Sequence, residues 1–484
     1  MADAPDRNER SSGPGIGADE WVAREGEHRQ RRIAARVSEA VERIPPALRL
    51  AAIVVPLVVI PIVADSDYQR QVALDTVIFM LLALGLNVTV GWVGVLDLGY
   101  VAFFGLGAYF YAAVASVYAG RYWDAQWAIP AVIAATALVG LLVGLPSRRL
   151  AGDYLAIVTL FFFQIFFVVA NNSEVTLGPN GIADVLPLQF FSWTADMLLE
   201  NYYVAVGAFA VVMGVLYLVN ASRTGRAWRA LREDELAAEL MTMPVDRLKL
   251  MGFAFGAGVA GLAGLIFSAQ QGAVFPADFT LPLLITIYAM VVLGGAGSLV
   301  GVAVGVVLIN LSLEVLREPT NASVLFFGVL VVGLVVMVRP WWRLLSVAGA
   351  TVLLGVVVHE LAEWLRPSLV AGETVGQARI DDLVSEWVLL PVDLITPDGL
   401  PAGAAGRLMY ITLVAAILGL TMIRSSLWRT IALPPVLYLA ACVWENLLLP
   451  QASVTRFILI GAMLVTLMAA RPQGLLGKQR VEII

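Results

Sequence analysis

What most constrains this chain is a recurrence. Apolar stretches long enough to cross a membrane return from residue 49 almost to the end, with few charges inside them. They lie near 49–64, 72–92, 98–116, 127–145, 154–170, 202–220, 250–269, 281–294, 298–316, 323–338, 344–362, 408–423, 430–449 and 456–470. A perpendicular span needs about 20 apolar residues, so the shorter stretches read as broken or re-entrant helices. Of the 484 residues 60% are hydrophobic and 14% charged, more apolar surface than a core in water can bury. This excludes a cytosolic enzyme, a nucleic-acid binder and a disulfide-stapled secreted module. The single cysteine, Cys442, allows no intrachain disulfide and no cysteine-based metal site. His28 and His359 are the only histidines, and no metal site is expected. The expected fold class is an all-α polytopic membrane protein of about 14 transmembrane helices, with the lipid bilayer as its solvent.

Charge sets the orientation. With the N-terminus inside, Arg70, Arg121, Arg317, Arg366, Arg379, Arg407 and Arg456 fall outside, and the other 24 of the 31 Lys and Arg residues fall in cytoplasmic segments. That bias satisfies the positive-inside rule and places both termini in the cytoplasm. No cleaved signal peptide is expected. Residues 1–48 read as a cytoplasmic N-terminal extension whose part 21–44 is basic and amphipathic, with Ile33, Val37, Val41 and Ile44 on one face. It is either an interfacial helix on the inner leaflet or a solvated helix. Pro45 and Pro46 end it in both cases. The longest outside segment, 363–407, is acidic.

Helices in lipid approach one another through small residues. Gly252, Gly256, Ala260 and Gly264 share one helix face, and Gly297, Gly301 and Gly305 are expected to share another, as packing faces or as surfaces that slide. Ionisable groups in or near spans are few: Asp75, Asp97, Glu314, His359, Glu360 and Glu445. Most stand near span ends, where anchors and helix-end groups are usual, so an ion pathway has weak support.

The most informative stretch is polar, lies between two spans and is placed inside by the charge rule. Residues 221–249 hold Arg226, Arg229 and Arg232 at intervals of three, apolar Leu231, Leu236, Leu240 and Met241, and a closing Pro244. A short charged helix in this position either docks into a groove on a soluble partner and carries its motion into the membrane, or is a solvated loop.

These residues resemble a known family. Gly225-Arg226-Ala227 followed by Ala230-Leu231-Arg232-Glu233-Asp234-Glu235 and Ala237-Ala238 is similar to the coupling-helix motif of LivM-type permeases, membrane subunits of bacterial branched-chain amino acid ABC importers. Four further blocks and the tail agree in order. Leu96-Asp97-Leu98-Gly99-Tyr100-Val101-Ala102-Phe103 with Gly107-Ala108-Tyr109 resembles the third-helix signature. Gly152-Asp153-Tyr154-Leu155-Ala156-Ile157-Val158-Thr159-Leu160 resembles the start of the fifth helix, and Gly178-Pro179-Asn180-Gly181-Ile182 the outer loop. Met290-Val291-Val292-Leu293-Gly294-Gly295-Ala296-Gly297-Ser298 resembles the glycine turn, and Arg471-Pro472-Gln473-Gly474-Leu475-Leu476-Gly477 the family's C-terminus.

The resemblance implies a permease core at 49–340 of about 10 helices, with the coupling helix at 225–241. It implies inserted helices at 341–450 and a final helix with a cytoplasmic tail at 451–484. Such a chain would form half of the pathway of an importer for branched-chain or related hydrophobic amino acids in a bacterial cytoplasmic membrane. Its partners would be a second homologous permease, two cytoplasmic ATPases and an extracytoplasmic solute-binding protein. No cofactor is expected on this chain, which has no Walker-type phosphate loop and is not expected to be an enzyme; ATP and magnesium would act in the ATPases. The implied ATPase-coupling residues are Gly225, Arg226, Ala227, Arg229, Arg232, Glu233, Asp234, Glu235, Ala237 and Ala238. The pathway or outer-loop candidates are Tyr100, Phe103, Gln164, Gly178, Pro179, Asn180 and Gly181.

Four departures stand out. Phe161-Phe162-Phe163-Gln164 replaces a Gly-Phe-Gly-Glu-like run, Leu177 and Thr242 stand where glycines are usual, and Leu281-Pro282 replaces a more polar entry. They bear on the cargo more than on the fold. One alternative is the same machine carrying urea, a short amide or another small metabolite, although a urea permease is expected to have histidine at the Tyr100 position. Another is an ion-coupled secondary transporter acting alone through Asp97 or Glu360, and a third is a scaffold that transports nothing. Under the importer reading, Arg229→Glu with Arg232→Glu is expected to stop uptake while sparing insertion.

Overall fold

The computed structural model describes residues 46–148 except 65, 153–337, 341–367, 370, 387–390, 404–422 and 426–451, and scattered positions between 455 and 476. The amphipathic stretch 21–44, most of the acidic segment, Arg471–Gln473 and much of the stretch 456–470 lie outside the described residues. The fold is mostly helical and crosses the membrane many times. Among the described residues eight helices are long and apolar enough to span, one bent pair passes the same test jointly, and three apolar helices are shorter.

The chain divides into two compact units. One comprises described residues up to Ile309 and those from Leu464 onward, and the other runs over Asn310–Met463.

The first unit opens with α1 (Pro46–Val63) and α2 (Asp67–Leu86), which continues as a π-helix over Asn87–Val93. Next come α3 (Tyr100–Val114), α4 (Ala125–Gly144), α5 (Asp153–Asn172) and α6 (Leu198–Ala221). The short pair α7 (Arg223–Glu233) and α8 (Glu235–Leu240) precedes α9 (Val245–Gln271), α10 (Leu281–Gly294) and α11 (Leu299–Val315), the last of which runs on into the second unit from Asn310.

Helix α9 is the hub, packed on α2, α3 and α4. It begins after Pro244 and stops at Gly272, whose φ of 68° suits only a residue without a side chain, a common C-terminal stop. Its small residues let neighbours come to backbone distance. A Cβ at Gly252 would stand 2.5 Å from a Val93 methyl, one at Gly256 2.9 Å from the Thr89 methyl, and one at Gly264 would run into the Phe104 carbonyl. Gly107 of α3 likewise faces the Gly261 backbone. Gly301 and Gly305 let α11 cross α10 against the carbonyls of Gly294 and Met290. Gly297 does not share their face. It precedes α11, in the turn, with φ of 96°, because the 295–297 segment reverses the chain before the helix starts.

Helix α3 corrects another expectation, a full span over 98–116. At 15 residues it is about 22 Å long, short of a ~30 Å hydrocarbon core. The Tyr100 hydroxyl donates to the Leu82 carbonyl at 2.8 Å, so the chain folds back along α2 before α3 begins.

The second unit contains α12 (Pro319–Met337), α13 (Trp341–Leu365), α14 (Ala404–Met422) and α15 (Ser426–Val443), the last continuing as a π-helix over Trp444–Leu448. Phe326 stacks on Trp444 with centroids 4.2 Å apart. Trp387 fills the notch left by Gly355 and donates its indole N–H to the Val352 carbonyl at 3.1 Å. Helix α13 exposes Trp341, Trp342 and Trp364 at its two ends, the usual placement of interfacial aromatic anchors.

Candidate functional site

Two non-spanning segments carry the polar geometry. The first is the α7–α8 pair. Ser222 caps α7 by accepting from the Gly225 N–H at 3.3 Å. Asp234 separates the two helices in an extended conformation, and its carboxylate caps α8 by accepting from the Ala237 N–H at 2.9 Å. Gly225, Trp228 and Leu231, spaced by three, form the buried stripe of α7, and Ala238 is buried on α8. The Trp228 indole donates to the Leu248 carbonyl of α9 at 2.9 Å and lies 6.3 Å from the Trp92 ring.

The arginines are not a solvent-facing row. Arg226 is exposed and donates to the Ala221 carbonyl at 2.9 Å. Arg229 holds Asn220 through its side-chain oxygen at 2.8 Å and its carbonyl at 3.3 Å. Arg232 turns inward and donates to the carbonyls of Gly91 and Ala296. Glu235 pairs with Lys249 at the start of α9, and Ala227 is half-buried. What α8 and its flanks offer to solvent is acidic and apolar: Glu233, Asp234, Glu235, Ala237 and Glu239, with Leu236, Leu240 and Met241 among the most exposed large apolar residues. These three are apolar positions of the sequence pattern that the structure turns to solvent. Trp228, a lone tryptophan amid arginines, is itself a sign of an inward face in the sequence.

Arg232 rests in a prepared notch. Gly94 has φ of 81°, and a Cβ there would lie 2.9 Å from Arg232 Cγ; one at Gly297 would lie 2.6 Å from its guanidinium. The Gly297 peptide is gripped from both sides, its N–H by Asn87 Oδ1 at 2.7 Å and its carbonyl by the Trp92 indole at 3.1 Å. Residues 87 and 92 are five apart, the repeat of a π-turn, so the π-helix brings both toward one partner where an α-helix would splay them. Behind the turn, the N–H groups of Leu475 and Leu476 donate to the carbonyls of Leu293 and Gly294 at 2.9 and 3.1 Å.

The second segment is the fold-back linker 94–99. Non-helical backbone at membrane depth survives only where its polar groups are met inside protein. Here Asp97 N–H donates to the Tyr288 hydroxyl at 3.0 Å, and that hydroxyl donates to the Asp97 carbonyl at 2.6 Å. Leu98 N–H donates to Thr159 Oγ1 at 2.9 Å, and Gly99 N–H to Asp97 Oδ1 at 3.0 Å. Asp97 is buried, and its Oδ2 has no partner among the described residues.

The pathway candidates are not brought together. Tyr100 and Phe103 are fully buried, Phe103 against Phe162 at 5.1 Å between centroids, whereas Gln164 is exposed on α5. In the loop Gly178 and Gly181 are buried, while Pro179 and Asn180 are exposed. Ile182–Ala183 then pairs antiparallel with Ala273–Val274, Ile182 opposite Val274. Two of the departures from glycine fall on left-handed backbone: Leu177 has φ of 59° and Thr242 φ of 60°. For a β-branched threonine that conformation is strained.

A multi-pass helical membrane protein with a capped helical pair outside its spans, bonded to the ends of several of them, has the build of a transporter's membrane subunit. Residues 70–339 match the sequence profile of the family described as the permease component of branched-chain amino acid transport systems, and the chain belongs to that family. It is 37% identical over 308 residues to the high-affinity branched-chain amino acid transport system permease protein LivM of Salmonella typhimurium, covering 57% of this chain and 72% of that one. Against LivM of Escherichia coli K12 it is 37% identical over 306 residues, covering 57% and 71%. A more distant relative, the probable LivM of Methanocaldococcus jannaschii, is 29% identical over 231 residues, covering 44% and 66%. No solved structure matches.

Proposed function

We propose that this chain is one permease subunit of an ABC importer for branched-chain or related hydrophobic amino acids. It works in the cytoplasmic membrane with a second homologous permease, two ATPases on the inner side and an external binding protein. It catalyses no reaction itself; ATP and magnesium act in the ATPases. About 14 spans with both termini inside remain the topology that its basic residues favour.

The observation that carries this reading is the two-sided docking segment. Its inner face, Gly225, Trp228, Leu231 and Ala238, is packed against the protein, while Leu236, Leu240 and Met241 stand exposed among Glu233, Asp234, Glu235 and Glu239. A rigidly held helix offering apolar side chains ringed by carboxylates suits an apolar groove with a basic rim, as an ATPase would present. Gln164 adds support for a second permease. It is a polar side chain amid exposed Phe161, Ile165, Val168 and Val169, which is costly against lipid and favourable against a protein or a water-lined pathway.

The test is uptake by proteoliposomes holding this chain with its partner permease, ATPases and binding protein, offered leucine, isoleucine, valine or urea. ATP-dependent uptake of the three amino acids is expected; urea uptake alone overturns the cargo, and uptake without the ATPases overturns the class. Leu236→Asp with Leu240→Asp is expected to abolish uptake and ATPase binding while leaving the amount of inserted protein unchanged. The Arg229→Glu, Arg232→Glu pair is a poorer probe of docking, since both side chains bond to the permease itself.

A further inference from the structure

We propose that Arg232 is a positioning residue that makes the docking segment, the end of α2 and the α10–α11 turn move as one piece. The inference rests on the importer reading above.

Of Arg226, Arg229 and Arg232 on α7, only Arg232 bonds to spans other than α6. Arg226 and Arg229 bond to Ala221 and Asn220, at the corner where α6 gives way to α7, so they stiffen that corner locally. Trp228 ties α7 to α9 and packs beside Trp92 at the end of α2. None of these contacts reaches the α10–α11 turn. Arg232 does, with one guanidinium on the carbonyls of both Gly91 and Ala296.

The Gly91 carbonyl sits in the last turn of the π-helix that ends α2, where acceptors lack intrahelical donors and a fixed positive charge is favoured, and the Ala296 carbonyl sits in the turn between α10 and α11. The notch is cleared for the side chain by Gly94 and Gly297, both on left-handed backbone. The receiving parts are joined to each other as well, since Asn87 and Trp92 grip the Gly297 peptide. A push or pull on α8 is therefore delivered to two further membrane segments through one guanidinium nitrogen, Nη1, which donates to both carbonyls. The planar guanidinium fixes the directions of those two N–H groups, whereas a lysine ammonium on its flexible stem holds them less rigidly.

The test compares wild type, Arg232→Lys and Arg232→Gln in the assembled complex, with ATP hydrolysis and leucine uptake measured in the same vesicles. Coupling free energies of ordinary size correspond to changes on the order of tenfold. Leucine imported per ATP is expected to fall about tenfold in Arg232→Gln and less in Arg232→Lys, with complex yield and ATP hydrolysis largely kept. A mechanical tie should also be replaceable. Arg232→Cys with Ala296→Cys, in a Cys442→Ser background, bridged by a bis-methanethiosulfonate of arginine-like length, should regain uptake per ATP. An unchanged ratio in Arg232→Gln would sink the proposal, as would uptake and hydrolysis falling in parallel with complex yield and no rescue by the bridge. A wild-type complex that hydrolyses ATP without importing leucine would overturn the importer reading and the tie with it.

Discussion

Helices α9 and α13 are nearly equally apolar and similar in length, yet they live in different surroundings. Protein shields 72% of the apolar window of α9 and only 17% of that of α13. Hydropathy cannot tell them apart, because lipid and a membrane protein's interior are almost the same solvent for a leucine. What differs is what the glycines do. Gly252, Gly256, Gly261 and Gly264 of α9 stand where a neighbouring backbone or side chain occupies the space of a missing Cβ, whereas α13 has one such glycine, Gly355 under Trp387, and Gly349 has open space around it. Shielding inside the membrane follows shape more than polarity.

The sharpest way to break this comparison is to put the same bulky residue into both helices. Gly264→Leu, driven into the Phe104 backbone, should leave no correctly folded protein in detergent extracts, while Gly349→Leu should melt like wild type. Should the two behave alike, shape would not be what separates the helices. Gly261→Ala meets the buried Thr136 side chain, its Cβ included, so α4 itself has to give way; a loss of ~1–3 kcal/mol is expected in chemical unfolding, the ordinary range of overpacking. Replacing Trp92 by Phe removes one hydrogen bond to Gly297 and should cost about 1 kcal/mol by the same measurement. The smallest effect has the opposite sign: Thr242→Gly relieves a left-handed threonine and should stabilise by ~0.5–1 kcal/mol, visible as a small rise in melting temperature. Leu177→Gly extends that test to the outer loop, where the same sign is expected.

Much of the architecture was legible from residues alone, because each stretch long enough to span must satisfy its own backbone within lipid, and that requirement is local. A short charged helix closed by Pro244 was visible for the same reason; the caps at Ser222 and Asp234, which divide it into a pair, come from the structure. What stayed hidden depends on partners far along the chain. Tyr288 and Thr159 complete the backbone bonds of the 94–99 fold-back, and nothing near Asp97 announces them. The spacing of Arg226, Arg229 and Arg232 could be read, but the direction of Arg232 could not, since it is set by Gly91, Gly94 and Ala296 from elsewhere in the chain. Gly297 stands two residues before α11, and in the sequence a glycine there and one on a helix face look alike until the turn is seen.

The pairing of Leu475 and Leu476 with Leu293 and Gly294 has a consequence in time. Polypeptides leave the ribosome N-terminus first, and their parts settle in roughly that order. The turn that receives Arg232 is thus synthesised together with its own helices, but its backing arrives only after the whole second unit has been made. Completion of this clasp is a late event in the protein's birth. A chain cut short anywhere in between would display the entire docking segment and still lack the strut behind it.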